Sequence, residues 1–199
     1  MVTRVGLEVG STWVFASALD WPGWCRRGRG EDDALEVLER YAERYRAIAG
    51  RGWRPGPVEV VGRVAGDATT DFGAPGRAGP WDDEPLGAKE AARLTGVLVE
   101  CWDYFDRVVQ GAPAALRKGP RGGGRDRDRV VEHVREAERT YGRKVGARVP
   151  PRTPWGEQRG AIVAALDERA GGSAWTPRYF IRRAAWHVTD HAWEIEDKS

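Results

Sequence analysis

The stretch TPRYFIRRAAWHVTDHAWEIED, residues 176–197, decides how the chain is read. Thr176 before Pro177 is a helix-start signal: a capping hydroxyl, then a proline whose fixed φ suits the first turn. Steps of three and four residues from there pick out Phe180, Ala184, His187, His191 and Ile195 as one face. Arg182, Thr189 and Glu196 fall opposite and predict a solvated face. Two histidines therefore stand where the period asks for apolar side chains. Four apart on a helix, they project from one face, one turn above the other. The chain of 199 residues has three histidines in all.

The third, His133, lies in a second amphipathic segment. This predicted helix runs over about 126–145, with the stripe Val130, Val134, Ala137, Tyr141 and Val145, which His133 borders. Two more helices are predicted. One covers about 86–110, with Leu94, Leu98, Cys101, Phe105 and Val108 on its stripe. The other starts at Thr153-Pro154 and stops at Gly171-Gly172. Four such helices with no strand pattern between them predict an antiparallel four-helix bundle over 86–199.

The N-terminal part reads differently. Strands are predicted over 4–9, 12–20 and 58–64, with a short extra strand near 24–27. DWPGW (20–24) is a Pro-Gly turn. A helix is predicted over 31–50, with the stripe Leu35, Leu38, Ala42, Tyr45 and Ala49 and a stop at Gly50. The expected fold class is α+β: a small α/β domain over 1–65, a Gly/Pro/Asp-rich linker or surface-hugging loop over 66–85, and the bundle.

Composition excludes several functions. The 32 basic and 30 acidic residues leave a formal net charge of +2, not the lopsided basic surface of a nucleic-acid binder. Cys25 and Cys101 fall in separate predicted domains, which argues against a disulfide framework and a cysteine zinc site. MVTRVGLEVG at the start has no apolar signal core. No window approaches the roughly 18 to 20 apolar residues of a membrane span. The expectation is a soluble cytoplasmic protein without a membrane or nucleic-acid partner.

Three imidazoles facing an apolar interior are unfavourable unless their nitrogens have partners. A divalent metal supplies all three at once. Two ligands at i and i+4 with a third from a facing helix leave a coordination position free, as in catalytic zinc sites. Neutral imidazoles equally suit nickel, iron or copper. An isolated H-x3-H is more often structural or exposed; the collection of all three histidines on inward faces is what favours a metal. Glu136, Asp190 and Glu194 are candidates to accept the outer N–H of a ligating histidine, or else to pair with Arg183 or Arg135 at the surface. Trp186 and Trp193 flank the histidine pair; they either pack or wall a pocket with Tyr141 and Arg183. The loop RKGPRGGGRDRDR (117–129) carries Arg121 and Arg125. It is either an anion site or a solvated connector, and it lacks the ending of a P-loop.

VVEHVREAERTYGRKVG (130–146) and YFIRRAAWHVTDHAWEIED (179–197) resemble, in order and spacing, the metal-binding segments of DinB/YfiT-like four-helix bundles. Those place one histidine in the second helix and an H-x3-H pair in the fourth. The resemblance covers residues 86–199 and implies His133, His187 and His191 as ligands of a divalent metal such as zinc, nickel or iron. It implies a transferase or isomerase that uses a low-molecular-weight thiol, such as mycothiol or bacillithiol, on a small-molecule substrate, and a homodimer. The sulfoxide-synthase branch carries H-x3-H-x-E, from which this chain departs with Trp193 and then Glu194. VFASALDWPGW (14–24) with GRGEDDALEVLERYAERY (28–45) is similar to the small HicB-like fold, without a DNA-binding segment. The other reading is a non-enzymatic metal- or ligand-binding interaction protein of the same fold. An enzyme keeps a coordination position open; a structural site closes it with a fourth protein ligand.

Overall fold

The structure is a computed structural model that describes residues 2–119, 123–168 and 173–199. It is α+β, with a four-stranded mixed sheet and seven α-helices among the described residues. The strands are β1 (Thr3–Val9), β2 (Val14–Ala18), β3 (Cys25–Gly28) and β4 (Val58–Ala65), in the order β3-β2-β1-β4. β1 pairs antiparallel with β2 and parallel with β4, and β2 pairs antiparallel with β3. All four coincide with the predicted strands to within two residues.

The predicted helix over 31–50 forms as two, α1 (Glu31–Arg40) and α2 (Ala42–Ala49). They part at Tyr41, whose N–H is shared between the carbonyls of Val37 and Leu38 at 3.2 and 3.1 Å. Trp24 and Tyr45 dock these helices on the β2–β3 turn. The Trp24 indole donates to the Leu38 carbonyl at 2.8 Å, and the Tyr45 hydroxyl to the Pro22 carbonyl at 2.7 Å. Gly23 in this turn has φ +94°, and a Cβ there would meet Cys101 Sγ and Thr189 Oγ1 at 2.9 Å. Only glycine satisfies both the backbone and the approach of the following helices.

Strand alternation gives the sheet two covered faces. Val5, Leu7, Val14, Ala16 and Ala18 pack in one core cluster with Ala34, Leu38, Tyr45 and Ile48 of α1 and α2. The opposite face carries Gly6 and Glu8, and residues 66–85 lie on it. This segment packs against the sheet. It contains α3 (Ala68–Phe72) and a 3-10 turn (Pro80–Asp82). Gly6 and Gly62 are neighbours across β1 and β4, and the Trp81 indole rests on both; a Cβ on Gly6 would sit 2.6 Å from the ring. The buried Glu8 carboxylate accepts from Thr70 Oγ1 (2.5 Å) and from the N–H groups of Gly76 (2.9 Å) and Arg77 (3.0 Å).

Four long helices follow: α4 (Ala88–Gly111), α5 (Arg127–Gly142), α6 (Trp155–Glu168) and α7 (Pro177–Lys198). They pack in a closed ring, α4 on α7, α7 on α5, α5 on α6 and α6 on α4. Thr176 caps α7 as its sequence implies, accepting from Tyr179 N–H at 3.3 Å. The predicted stop of α6 at Gly171-Gly172 lies outside the described residues. None of the described helices is long and apolar enough to cross a membrane. The same core cluster that holds Val5 and Leu7 continues through Leu98, Phe105, Val134, Phe180 and Ile195.

The back face of α7 corrects the sequence reading. Arg182 and Thr189 are buried, as is every residue from Tyr179 to Thr189. The amphipathic period assigned them to solvent because it registers side-chain chemistry, not partners. Arg182 forks onto Asp82 of the 66–85 segment at 3.0 and 2.5 Å and donates to the Arg77 carbonyl at 3.0 Å. Thr176 Oγ1 and Arg178 bind the carbonyls of Asp82 and Glu84, and the Tyr179 hydroxyl binds that of Gly76. Sequence reading also missed buried Glu138 of α5, which accepts from Trp155 (2.5 Å) and Arg159 (3.1 Å) of α6. Removing one partner of a buried ion pair strands the other charge. Asp82→Ala is therefore expected to lower unfolding free energy by about 3–5 kcal/mol in urea titrations; a loss below about 1 kcal/mol would show that the segment is not pinned there.

Candidate metal centre

α5 and α7 lie against each other, and their contact brings the three histidines together. Ligand atoms of His133, His187 and His191 all lie within 4.8 Å of one another. His187 is buried and the other two are half-buried. His133 Nε2 and His187 Nε2 are 3.2 Å apart. Two nitrogens each about 2.0–2.1 Å from a tetrahedral ion are separated by about 3.3 Å, so this pair already has the spacing of two ligands on one metal. Among the described residues the cluster contains no fourth histidine, cysteine or carboxylate. Three neutral imidazoles suit zinc, nickel or iron, and not the oxygen-seeking calcium or magnesium.

His191 is oriented from behind. Its Nδ1 pairs with Glu194 Oε2 at 2.8 Å, which leaves Nε2 as the ligand atom. Glu194 in turn accepts from Lys198 at 2.5 Å. The His191 hydrogen bond, helped by Lys198, holds the Glu194 carboxyl down at about 2 against the effect of burial, so it stays anionic. Lys198 stands i+4 from Glu194, a spacing visible in sequence but not singled out there.

The other candidate carboxylates are placed elsewhere. Asp190 is bound by Arg26 of β3 at 2.9 Å, and exposed Glu136 is bound by Arg139. Neither is shown with a histidine. Among the described residues the expected alternative partners, Arg183 and Arg135, take no carboxylate either; Arg135 donates to the Thr153 carbonyl at 2.7 Å. The Arg26–Asp190 pair joins positions 164 apart, and no spacing rule reaches that far.

Aromatic rings border His187. Tyr141 lies edge-on to His187 with ring centres 5.7 Å apart, and Trp186 lies 6.0 Å from the same ring. Arg183 stacks on both, 4.7 Å from the Trp186 ring centre and 5.5 Å from that of Tyr141. Trp193 packs against Tyr41. Trp186 and Trp193, with Glu194, also line a cavity of about 310 Å³ between α7 and strands β2 and β3, together with Phe15, Cys25 and Arg26. The two tryptophans thus both pack and wall a cavity, on the sheet side of Glu194. Arg125 is exposed, and its charge reaches His133 and His187. Arg121 lies outside the described residues.

Burial is the main cause that lowers the pKa of His187 well below its ordinary value, with the charges of His191, Arg183, His133 and Arg125 acting the same way. Burial, then His191 and Arg125, lowers His133 as well. Both rings are therefore neutral near pH 7, the form that ligates a metal.

No family model, curated protein or solved structure matches this chain. The candidate site therefore rests on its own geometry.

A histidine whose folded pKa is depressed binds protons more readily when unfolded, so stability falls as pH drops below the unfolded value of about 6.5. Metal-free protein should melt at steadily lower temperature from pH 7 towards pH 5. His187→Phe should flatten that slope. Parallel melting curves for both proteins would show that the ring is not held neutral.

Proposed function

We propose that the chain is a metal-dependent enzyme of the DinB-like kind, its ring of helices a four-helix bundle and its N-terminal sheet a HicB-like accessory unit. The activity proposed is transfer or isomerisation assisted by a small thiol such as mycothiol or bacillithiol. The observation that carries the reading is the trio His133, His187 and His191, with ligand atoms within 4.8 Å. Three protein ligands leave a fourth position for a reactant, the arrangement of catalytic and not structural zinc.

His133, His187 and His191 would hold a divalent ion there, and its chemistry would be that of a Lewis acid that lowers the pKa of a thiol. The chain's own groups do the rest. Glu194 fixes the His191 tautomer and directs Nε2 inward. His187, neutral through burial, keeps its lone pair available. Tyr141 and Trp186 restrict water beside His187 and present apolar surface to an electrophilic substrate. Lys198 holds Glu194 from the other side, so that the carboxylate cannot swing into the ligand position.

Metal analysis tests this. Purified protein loaded with zinc, nickel or iron and freed of excess should retain about one ion per chain, as expected of a three-ligand site. His187→Ala should retain little, and Glu194→Gln should bind about 10–100-fold more weakly, the usual effect of losing the partner behind a ligating histidine. A wild-type protein that retains no ion under any loading condition would refute the reading. Loaded protein that retains metal but conjugates no thiol to model electrophiles would refute the transferase and leave the metal centre.

A further inference from the structure

Arg183 is a buried cation without an anion. It is 9% exposed, one helical turn before His187 on the same face of α7. Among the described residues its guanidinium makes no hydrogen bond and no ion pair, and Nη1 is wholly buried without a partner. Three other arginines also have a buried nitrogen without a partner, Arg26, Arg46 and Arg139. Each of those, however, holds a carboxylate through its remaining nitrogens: Asp190, Glu43 and Glu136. Arg183 alone of the four has none.

Its faces are occupied instead. The rings of Trp186 and Tyr141 stack on it, and both also border His187. Stacking covers the flat faces of a guanidinium and leaves its in-plane N–H donors free at the edge. A buried guanidinium is costly unless its donors are satisfied. Nearby charges make the need sharper. Arg183 and Arg125 both bear on the histidines, and Glu194, which pairs with His191, is already shared with Lys198.

We propose that Arg183 is the receptor for a carboxylate on the small molecule that occupies the open side of the three-histidine site. The fork of the guanidinium matches a carboxylate through two parallel N–H···O bonds. One helical turn separates this anchor from His187, so the ligand has its carboxylate a few atoms from the atom that faces the histidines. The class is a short thiol or α-functional acid with one free carboxylate, held at two poles. This deepens the metal-centre reading and rests on it for the second pole; the carboxylate pole stands without a metal.

The test compares 3-mercaptopropionate with its neutral counterpart, 3-mercaptopropanol, on the full chain. In metal-free protein, binding is read by saturation-transfer NMR; in cobalt(II)-loaded protein, by the cobalt–sulfur charge-transfer band. Wild type should favour the carboxylate tenfold or more in both forms. Arg183→Gln should remove that preference and Arg183→Lys keep part of it. Equal binding of the two thiols by wild type, or an undiminished preference in Arg183→Gln, overturns the proposal. Failure of cobalt to bind, with the carboxylate preference intact in metal-free protein, overturns the metal reading and supports the anchor.

Discussion

The burial of α7 all round from Tyr179 to Thr189 is the constraint from which the rest follows. In a helix with eleven consecutive buried residues, Tyr179 to Thr189, a charged group left unmatched is costly. Arg182 is matched by Asp82, and that pairing fixes residues 66–85 against the sheet. Those residues in turn satisfy Glu8, which projects from β1 onto the sheet face that they cover. One buried arginine thus links the last helix to the first strand through a segment whose composition alone promises no structure. The same burial sets the chemistry of the face that meets α5, where His187 is kept neutral and Arg183 is left without an acceptor.

Much of this was legible in the sequence. The four strands, the long helices and the caps at Thr176 and Pro177 follow from local rules, because hydrophobic period and turn residues are local quantities. The histidine trio was legible for a different reason: in a chain with three histidines, an H-x3-H pair and a third histidine beside an apolar stripe have few ways to be satisfied separately. Glu194 was among the expected partners, and its helical spacing from His191 put it within reach.

What escaped the sequence was long-range. Asp190 was a natural candidate to support His187, yet Arg26, far away in the chain, claims it. The period that placed Arg182 and Thr189 in solvent assumes one buried face per helix, and α7 has two. Residues 66–85 read as a linker or a surface-hugging loop because glycine and proline suppress regular structure; which surface they lie on depends on other segments. In each case the local pattern was read correctly and its partner lay beyond any spacing rule.

The platform under Trp81 has an evolutionary consequence. Gly6 and Gly62 are bare because the indole occupies the volume that their side chains would fill. Residues 6, 62 and 81 therefore share one fixed space, although they belong to two strands and a 3-10 turn. A gain of volume at any one of them must be matched by a loss at another. Viable changes at these positions should come as compensating pairs, so the three sites are expected to change together.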